Sequence, residues 1–507
     1  MPRTIPALFD GAVHAAGDRT WLHHEDRAYT FGAAAARIAG AAWVLRDHGV
    51  VRGSVVMATT RNTDAYLFTW LAAVRLGALL VTVDPRSSAA ELAGLAGQTR
   101  PHLVVTDAEA WAAVEQAVAG TPPPARLLSV DDVAGESVSA AAPPPAEVRE
   151  EDPAVLIPTS GTTGRSKLVT QTHRAYAMAG EGFPYWMRLT GDDRLMTSLP
   201  LFHINAPAYS MLGSVAARAG LVLLPRFSAG GFLDAARRYA ATEFNAIGAM
   251  LEMLMRQPER PDDAGTPLRL CYTGPAPPRE RHLEIERRLG IEIVCGYALS
   301  ESPYGLCWRH GTRPFESLGS PRQHPELGEV NRARVMEDGR PVAAGEVGEL
   351  ELSNPCLMLG YHGMPEETAA VLVDGWLRTG DLVREDRDGT YSFVGRRKEV
   401  IRRRGENLAP GEVEAALEAH PDVAEAAVVG VPSELSEEEV KAFVMLRAGA
   451  STSPAELHAF ARTRLIAFKL PRYIELVDEL PHTPTGRIAK HRLPLLRTQA
   501  EWDAEES

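Results

Sequence analysis

Cysteine is scarce in this chain. There are four among 507 residues, Cys271, Cys295, Cys307 and Cys356, and no two stand at C-x-x-C spacing. That excludes a disulfide scaffold and reads as isolated thiols of a reducing compartment. Positive charge is also in deficit: 53 Lys and Arg against 66 Asp and Glu, a formal net charge of −13. Such an acidic surface argues against non-specific nucleic-acid binding. Long apolar runs are missing as well. The most apolar stretch, "FTWLAAVRLGALLVTVD" from Phe68 to Asp84, is interrupted by Arg75 and Gly77. Each side is too short to span a bilayer, so no membrane partner is expected. The opening "MPRTIPALFDGAVHAAGDRTW" has no basic segment leading into an apolar core. No secretory signal is read there, and the expected location is the cytoplasm.

What is present is an ordinary globular composition, 45% apolar and 23% charged, in a chain too long for one hydrophobic core. "FGAAAARIAGAAWVLRDHG" (31–49) reads as a helix closed by glycine, "GSVVMATT" (53–60) as a buried strand, "TDAYLFTWLAAVRLG" as a helix and "ALLVTVD" as a strand. "HLVVTD" (102–107) is another short strand. Alternation of helices with near-continuous apolar strands predicts an α/β fold, parallel or mixed sheets covered by helices. The Pro/Ala-rich stretch from Gly120 to Leu156 reads as an irregular surface excursion within one domain. After "YSFVGRRKEV" the texture changes to a compact α+β unit. It has a helix then a strand over 410–433, a strand over 437–446, a helix over 453–465 and a last strand, "RYIELVD" (472–478).

One stretch carries the chemistry. "LIPTSGTTGRSKLVTQTH" runs from a strand into Thr159, Ser160, Gly161, Thr162, Thr163 and Gly164, then Lys167. Small hydroxylated residues and glycines let backbone N–H groups close on an anion, and the lysine adds a point charge. This is a phosphate cradle without Walker A spacing.

"TSGTTGRSK" resembles the signature of the acyl- and aryl-adenylating superfamily: acyl-CoA synthetases, carrier-protein adenylation domains and luciferases. "GYALSES" (296–302), "GWLRTGDLV" (375–383) and "GRRKEVIRRRGENLAPGEVE" (395–414) resemble its later motifs, in the family's order. The closest look is that of small-acid CoA ligases of the crotonobetaine/carnitine type.

The resemblance implies a large N-terminal domain over 1–396 and a small, mobile C-terminal lid over 397–507, with the hinge at Lys398. It also implies a reaction. A carboxylate attacks the α-phosphate of ATP, pyrophosphate leaves, and a nucleophile then displaces AMP from the acyl-adenylate. By the same resemblance Glu301 binds Mg²⁺, and Ser300 keeps the hydroxyl of the usual threonine. Tyr297 lays its ring on adenine, which the turn Gly274, Pro275 and Ala276 borders. Asp381 accepts the ribose hydroxyls and Arg396 supports the ribose and phosphate side. His203 lies near the acyl group, and Gly405 where a pantetheine thiol passes. Arg402, Arg403 and Arg404 read as a solvated face or as contacts for coenzyme A phosphates. Asn205, Met250, Tyr304 and Gly305 are candidates for the acid's pocket. They include no cation for a second carboxylate, which favours a monocarboxylate.

Two departures stand out. Ala298 replaces the second glycine of the family's G-Y-G. In "PHTPTGRIAK" (481–490) Arg487 stands where the family has its adenylate-binding lysine, and Lys490 follows three residues later. Arg487 keeps the register and is favoured as the catalytic cation, with Lys490 the alternative. The expected cofactors are ATP, Mg²⁺ and coenzyme A, and the expected activity is an AMP-forming acid–thiol ligase. Rival readings keep the fold but change the acceptor to an amine or a carrier protein, or the acid to nitrous acid in a diazo-forming enzyme. A further rival is a non-catalytic nucleotide binder.

Overall fold

The structure is a computed structural model of the chain. It describes residues 2–120, 125–133, 146–159, 167–274, 276–403, 406–408, 410–432, 438–465, 467–483, 488–498 and 500–505, with the backbone alone at 398, 402, 406, 407, 468 and 491. Packing divides the chain into two compact units, Met1–Ala333 with Leu352–Leu377, and Arg334–Glu351 with Arg378–Ser507.

The first unit is built on two large sheets. One has seven strands. Its parallel part runs through Leu79–Thr82, Val55–Thr59, Leu103–Thr106 and Arg126–Ser129, next to β1 (Pro153–Thr159). β2 (Lys167–Thr172) returns antiparallel on β1, and Gly360–Tyr361 closes the edge. The strands are short and buried because every side chain in a run such as "LVVT" is apolar or a satisfied threonine. Helices cover them: Phe31–Asp47, Asp64–Arg75, Ala89–Thr99 and α1 (His173–Met187). Their starts follow from the sequence. Thr30, Thr63, Ser88 and Thr172 each cap a first-turn N–H, and Ser88 and Glu91 form a reciprocal capping box.

The second sheet has nine strands. Thr20–His24, Gly220–Leu223, Arg194–Thr197, Glu243–Asn245, β3 (Leu270–Thr273) and β4 (Glu292–Leu299) lie parallel. β5 (Ser302–Cys307) folds back antiparallel on β4. The carboxyl ends of parallel strands are where open α/β sheets bind ligands. Here those ends carry Asn245, Thr273–Gly274 and Gly296–Glu301.

The second unit holds β6 (Trp376–Glu385) from Arg378 onward, paired as a hairpin with β7 (Tyr391–Arg396). Its own core forms where α2 (Pro410–Glu418) and the helix Pro454–Arg462 pack on Val423–Pro432, Glu438–Leu446 and Tyr473–Leu476, burying Val413, Leu417, Val428, Val440, Leu457 and Ile474.

The expected α/β architecture with a smaller α+β unit is observed. Two local expectations are corrected. The Gly120–Leu156 stretch is not wholly irregular: Arg126–Ser129 joins a sheet edge and Val130–Val133 makes one helical turn. The strand at 472–478 is not the last, because Trp502–Asp503 pairs with it antiparallel. All four cysteines are buried and unbridged. No helix among the described residues is long and apolar enough to cross a membrane.

Candidate functional site

In the first unit, the antiparallel pairing of β1 and β2 sets Thr159 opposite Lys167, and Thr159 Oγ1 donates to the Lys167 carbonyl at 3.3 Å. The hairpin thus brings Lys167 back to the mouth of the loop. Ser160, Gly161, Thr162, Thr163 and Gly164 lie outside the described residues, as does Pro275.

Lys167 Nζ lies 4.5 Å above the ring centroid of Tyr361, within cation–π range. The Tyr361 hydroxyl donates to Glu301 Oε1 at 3.0 Å. Burial first, then the charge of Glu301, pushes the Tyr361 phenol well above its ordinary range, so it stays a neutral donor. Backbone bonds fix this group from both sides. The Glu301 carbonyl accepts from Met358 N–H at 2.8 Å, and Gln171 Nε2 donates to the Ser300 carbonyl at 2.6 Å. Tyr361 carries no motif signal in the sequence. It arrives because Gly360–Tyr361 pairs with Val169 and Thr170 of β2, a contact far apart along the chain.

The turn at Gly274 is steric. A Cβ there would lie 2.2 Å from the Gly296 carbonyl oxygen, so β3 and β4 approach too closely for any side chain. Ala276 packs on the core and Tyr297 is half-buried. His203 is half-buried, its ring 4.7 Å from that of Phe202. Asn205 Oδ1 accepts from Asn245 Nδ2 at 2.6 Å. These positions share one unit and the carboxyl-end region of its nine-stranded sheet.

In the second unit, the β6–β7 register sets Asp381 opposite Arg396. Asp381 is 2% exposed and its Oδ1 lies 3.0 Å from Arg396 Nε. The tight T-G-D turn is held by its neighbours. Gly380 takes φ +72° and donates its N–H to Glu349 Oε1 at 3.0 Å, and Asp381 N–H donates to Thr379 Oγ1 at 3.1 Å. Glu349 Oε2 also accepts from Arg397 at 3.0 Å.

Lys490 sits between two carboxylates, Nζ to Glu414 Oε1 at 2.7 Å and to Glu399 Oε2 at 3.0 Å. Burial pulls its ammonium down, the two carboxylates pull it up by more, and the net shift is upward. Burial keeps Glu414 above the usual carboxylate range even with Lys490 beside it. Arg487 lies outside the described residues, as do Arg404 and Gly405; of Lys398 the backbone is described, in a single turn of 3₁₀ helix over Arg397–Glu399. Arg403 is not on a solvated face: it is buried, 2.7 Å from Glu439 and donating to the Leu470 carbonyl at 2.8 Å.

The motif order agrees with the family matches. Residues 9–362 match the AMP-binding enzyme family, and residues 412–487 match the AMP-binding enzyme C-terminal domain. The chain belongs to the AMP-binding enzyme family. Members of similar sequence include a crotonobetaine/carnitine–CoA ligase of Salmonella paratyphi A, 30% identical over 97% of this chain and 99% of that protein. Among solved structures, the ATP-bound MatB from Rhodopseudomonas palustris superposes with a TM-score of 0.88 at 27% identity, covering 97% of this chain and 98% of that one. An O-succinylbenzoate coenzyme A synthetase (MenE) from Bacillus subtilis, in complex with AMP, gives 0.85 at 25% identity, with coverage of 97% and 98%. The family is adenylate-forming, and the relatives named include a CoA ligase and a coenzyme A synthetase.

Proposed function

We propose that the protein activates a small acid with ATP, releasing pyrophosphate, and transfers the acyl group from AMP to coenzyme A. The end-to-end likeness to a CoA ligase and a coenzyme A synthetase is the observation that carries this reading. In it, Lys167 and the loop before it hold phosphate oxygens, Tyr297 and the Gly274–Ala276 turn face adenine, and Asp381 with Arg396 holds the ribose. The arrangement suits these roles. Lys167 is steered by the Tyr361 face, and Tyr361 in turn fixes one oxygen of Glu301. Mg²⁺ on a nucleotide is bound by few protein carboxylates and by substrate phosphates and water, and a lone half-buried Glu301 fits that donor set. When bound, the ion neutralises charge on the phosphates.

Arg487 is proposed as the cation on the forming adenylate, because Lys490 is already engaged by Glu399 and Glu414. A planar guanidinium can bridge a phosphate and a carboxylate oxygen bidentately. Lys398 is proposed as the hinge that lets the segment 397–507 serve both half-reactions. The test is acid-dependent exchange of pyrophosphate into ATP, followed by thioester formation on adding coenzyme A. Exchange with no acid, or adenylate that transfers to an amine or carrier protein but never to coenzyme A, overturns this reading.

A further inference from the structure

The two neighbours of Lys398 are tied to different parts of the second unit. Lys398 lies inside a single turn, Arg397–Glu399, closed where Val400 N–H donates to the Arg397 carbonyl at 3.3 Å. Before it, Arg397 Nη1 donates to Glu349 Oε2 at 3.0 Å, and Arg397 Nη2 lies 3.8 Å from Glu337 Oε1. Glu349 is buried on the strand Val347–Ser353, and its other oxygen accepts the Gly380 N–H at 3.0 Å. One carboxylate thus joins the turn that carries Asp381 to the residue before Lys398. Arg396, one step earlier, is paired with Asp381 itself.

After Lys398, Glu399 Oε2 accepts from Lys490 Nζ at 3.0 Å. Lys490 also lies 2.7 Å from Glu414 Oε1, and that same oxygen accepts the Val428 N–H at 2.7 Å. Glu414 stands on α2 and Val428 in the core beneath it, so Glu399 is anchored to that core. All of these residues belong to the second unit. Neither tie is local: Glu349 is 48 positions from Arg397, and Glu399 is 91 from Lys490. The Arg397 side chain is 43% exposed, so solvent screens its pair with Glu349 and the gain in stability is small. Its consequence is directional. Turning the backbone at Lys398 carries Arg397 with one side and Glu399 with the other. It breaks neither ion pair, only the backbone bond that closes the turn. Turning at Arg397 or at Glu399 would strain one of the pairs.

We propose that Glu349 and Lys490 are the positioning residues of the hinge. Glu349 holds Arg397 to the turn of Asp381, Lys490 holds Glu399 to the α+β core, and together they confine the turning to Lys398. Hinges absorb their dihedral change at a few residues, and these two ties narrow the change to one. This rests on the hinge role proposed above and adds the residues that set its arc.

The experiment measures the half-reactions separately: pyrophosphate exchange, and single-turnover thioester formation when coenzyme A is added to preformed adenylate. Arg397→Met unties Glu349 from the hinge and leaves Gly380 its acceptor. It should keep exchange within about twofold and slow thioester formation by roughly fivefold or more. Glu399→Gln should give the same split from the other side. Arg397→Lys should recover most of the transfer rate, because its ammonium restores the charge facing Glu349. Arg397→Met placed on Glu349→Gln should slow transfer no further than Arg397→Met alone, as for two halves of one contact. Amide hydrogen exchange should quicken over 396–400 in Arg397→Met and stay unchanged in Val423–Pro432 and Glu438–Leu446, which also shows that the variant is folded. Thioester formation at the natural rate in both Arg397→Met and Glu399→Gln overturns the proposal. So does equal loss of the two half-reactions in a folded variant, which marks a general structural role. A natural protein with no acid-dependent exchange, or with no thioester formed, overturns the function proposed above, and this proposal with it.

Discussion

Replacing Lys490 by methionine tests whether the basic turn acts through Arg487 or through Lys490. Methionine keeps the length of the side chain and removes its charge. Glu399 and Glu414 would then face each other without the ammonium that now lies 3.0 Å and 2.7 Å from them. Removing one partner of a fully buried ion pair costs roughly 3–5 kcal/mol. Here the lysine side chain is 19% exposed and the carboxylates 33% and 18%, so solvent screens part of that loss. About half of it, ~2 kcal/mol, is the expected destabilisation. Lys490→Arg should recover most of it, since the new side chain keeps the charge. Thermal unfolding measures the stability, and pyrophosphate exchange measures adenylation separately. Lys490→Met should lower stability and leave most of the exchange rate in the fraction that stays folded. Arg487→Ala should do the reverse, losing exchange with little change in stability. If Lys490→Met is as stable as the natural protein yet cannot adenylate, Lys490 works at the reacting atoms and the assignment of Arg487 is wrong.

Glu301→Gln removes a charged oxygen ligand while keeping an acceptor for Tyr361. Adenylation should slow by about 2–4 kcal/mol of transition-state stabilisation, roughly 30- to 1,000-fold, and near-normal exchange would refute the metal role. Lys398→Pro fixes φ at the proposed hinge. Thioester formation should fail while pyrophosphate exchange survives, and equal loss of both would count against a hinge. His173 is fully buried, and neither ring nitrogen finds a partner among the described residues. Burial lowers it from 6.5 to about 4, with Asp152 opposing. The folded state therefore binds fewer protons than the unfolded one. Its contribution is intact above about pH 6.5 and drains away as pH falls toward 4, by about 3 kcal/mol in all. Denaturant titrations at several pH values should show that slope, and His173→Phe should flatten it.

The sequence by itself determined the local elements and the motif order. Apolar runs such as "LVVT" and "AFVML" made strands, and the helices read as opening at Thr63 and Ser453 start there, each capped by that side chain. The glycines of the motifs were legible too, because Gly274 and Gly380 answer backbone demands that no other residue meets cheaply. Tertiary structure decided everything that depends on residues meeting across long separations. Tyr361 reaches Glu301 only because a two-residue strand pairs on β2. Arg403 looked solvated in a run of arginines, but its neighbouring strands bury it against Glu439. Arg322 carries no local pattern, and only the packing of β3 and the helical segment Ala206–Met211 around it brings its guanidinium to two phenols. Periodicity and turn chemistry act within a few residues along the chain. Ion pairs and aromatic contacts depend on distance in space, which the chain order does not encode locally.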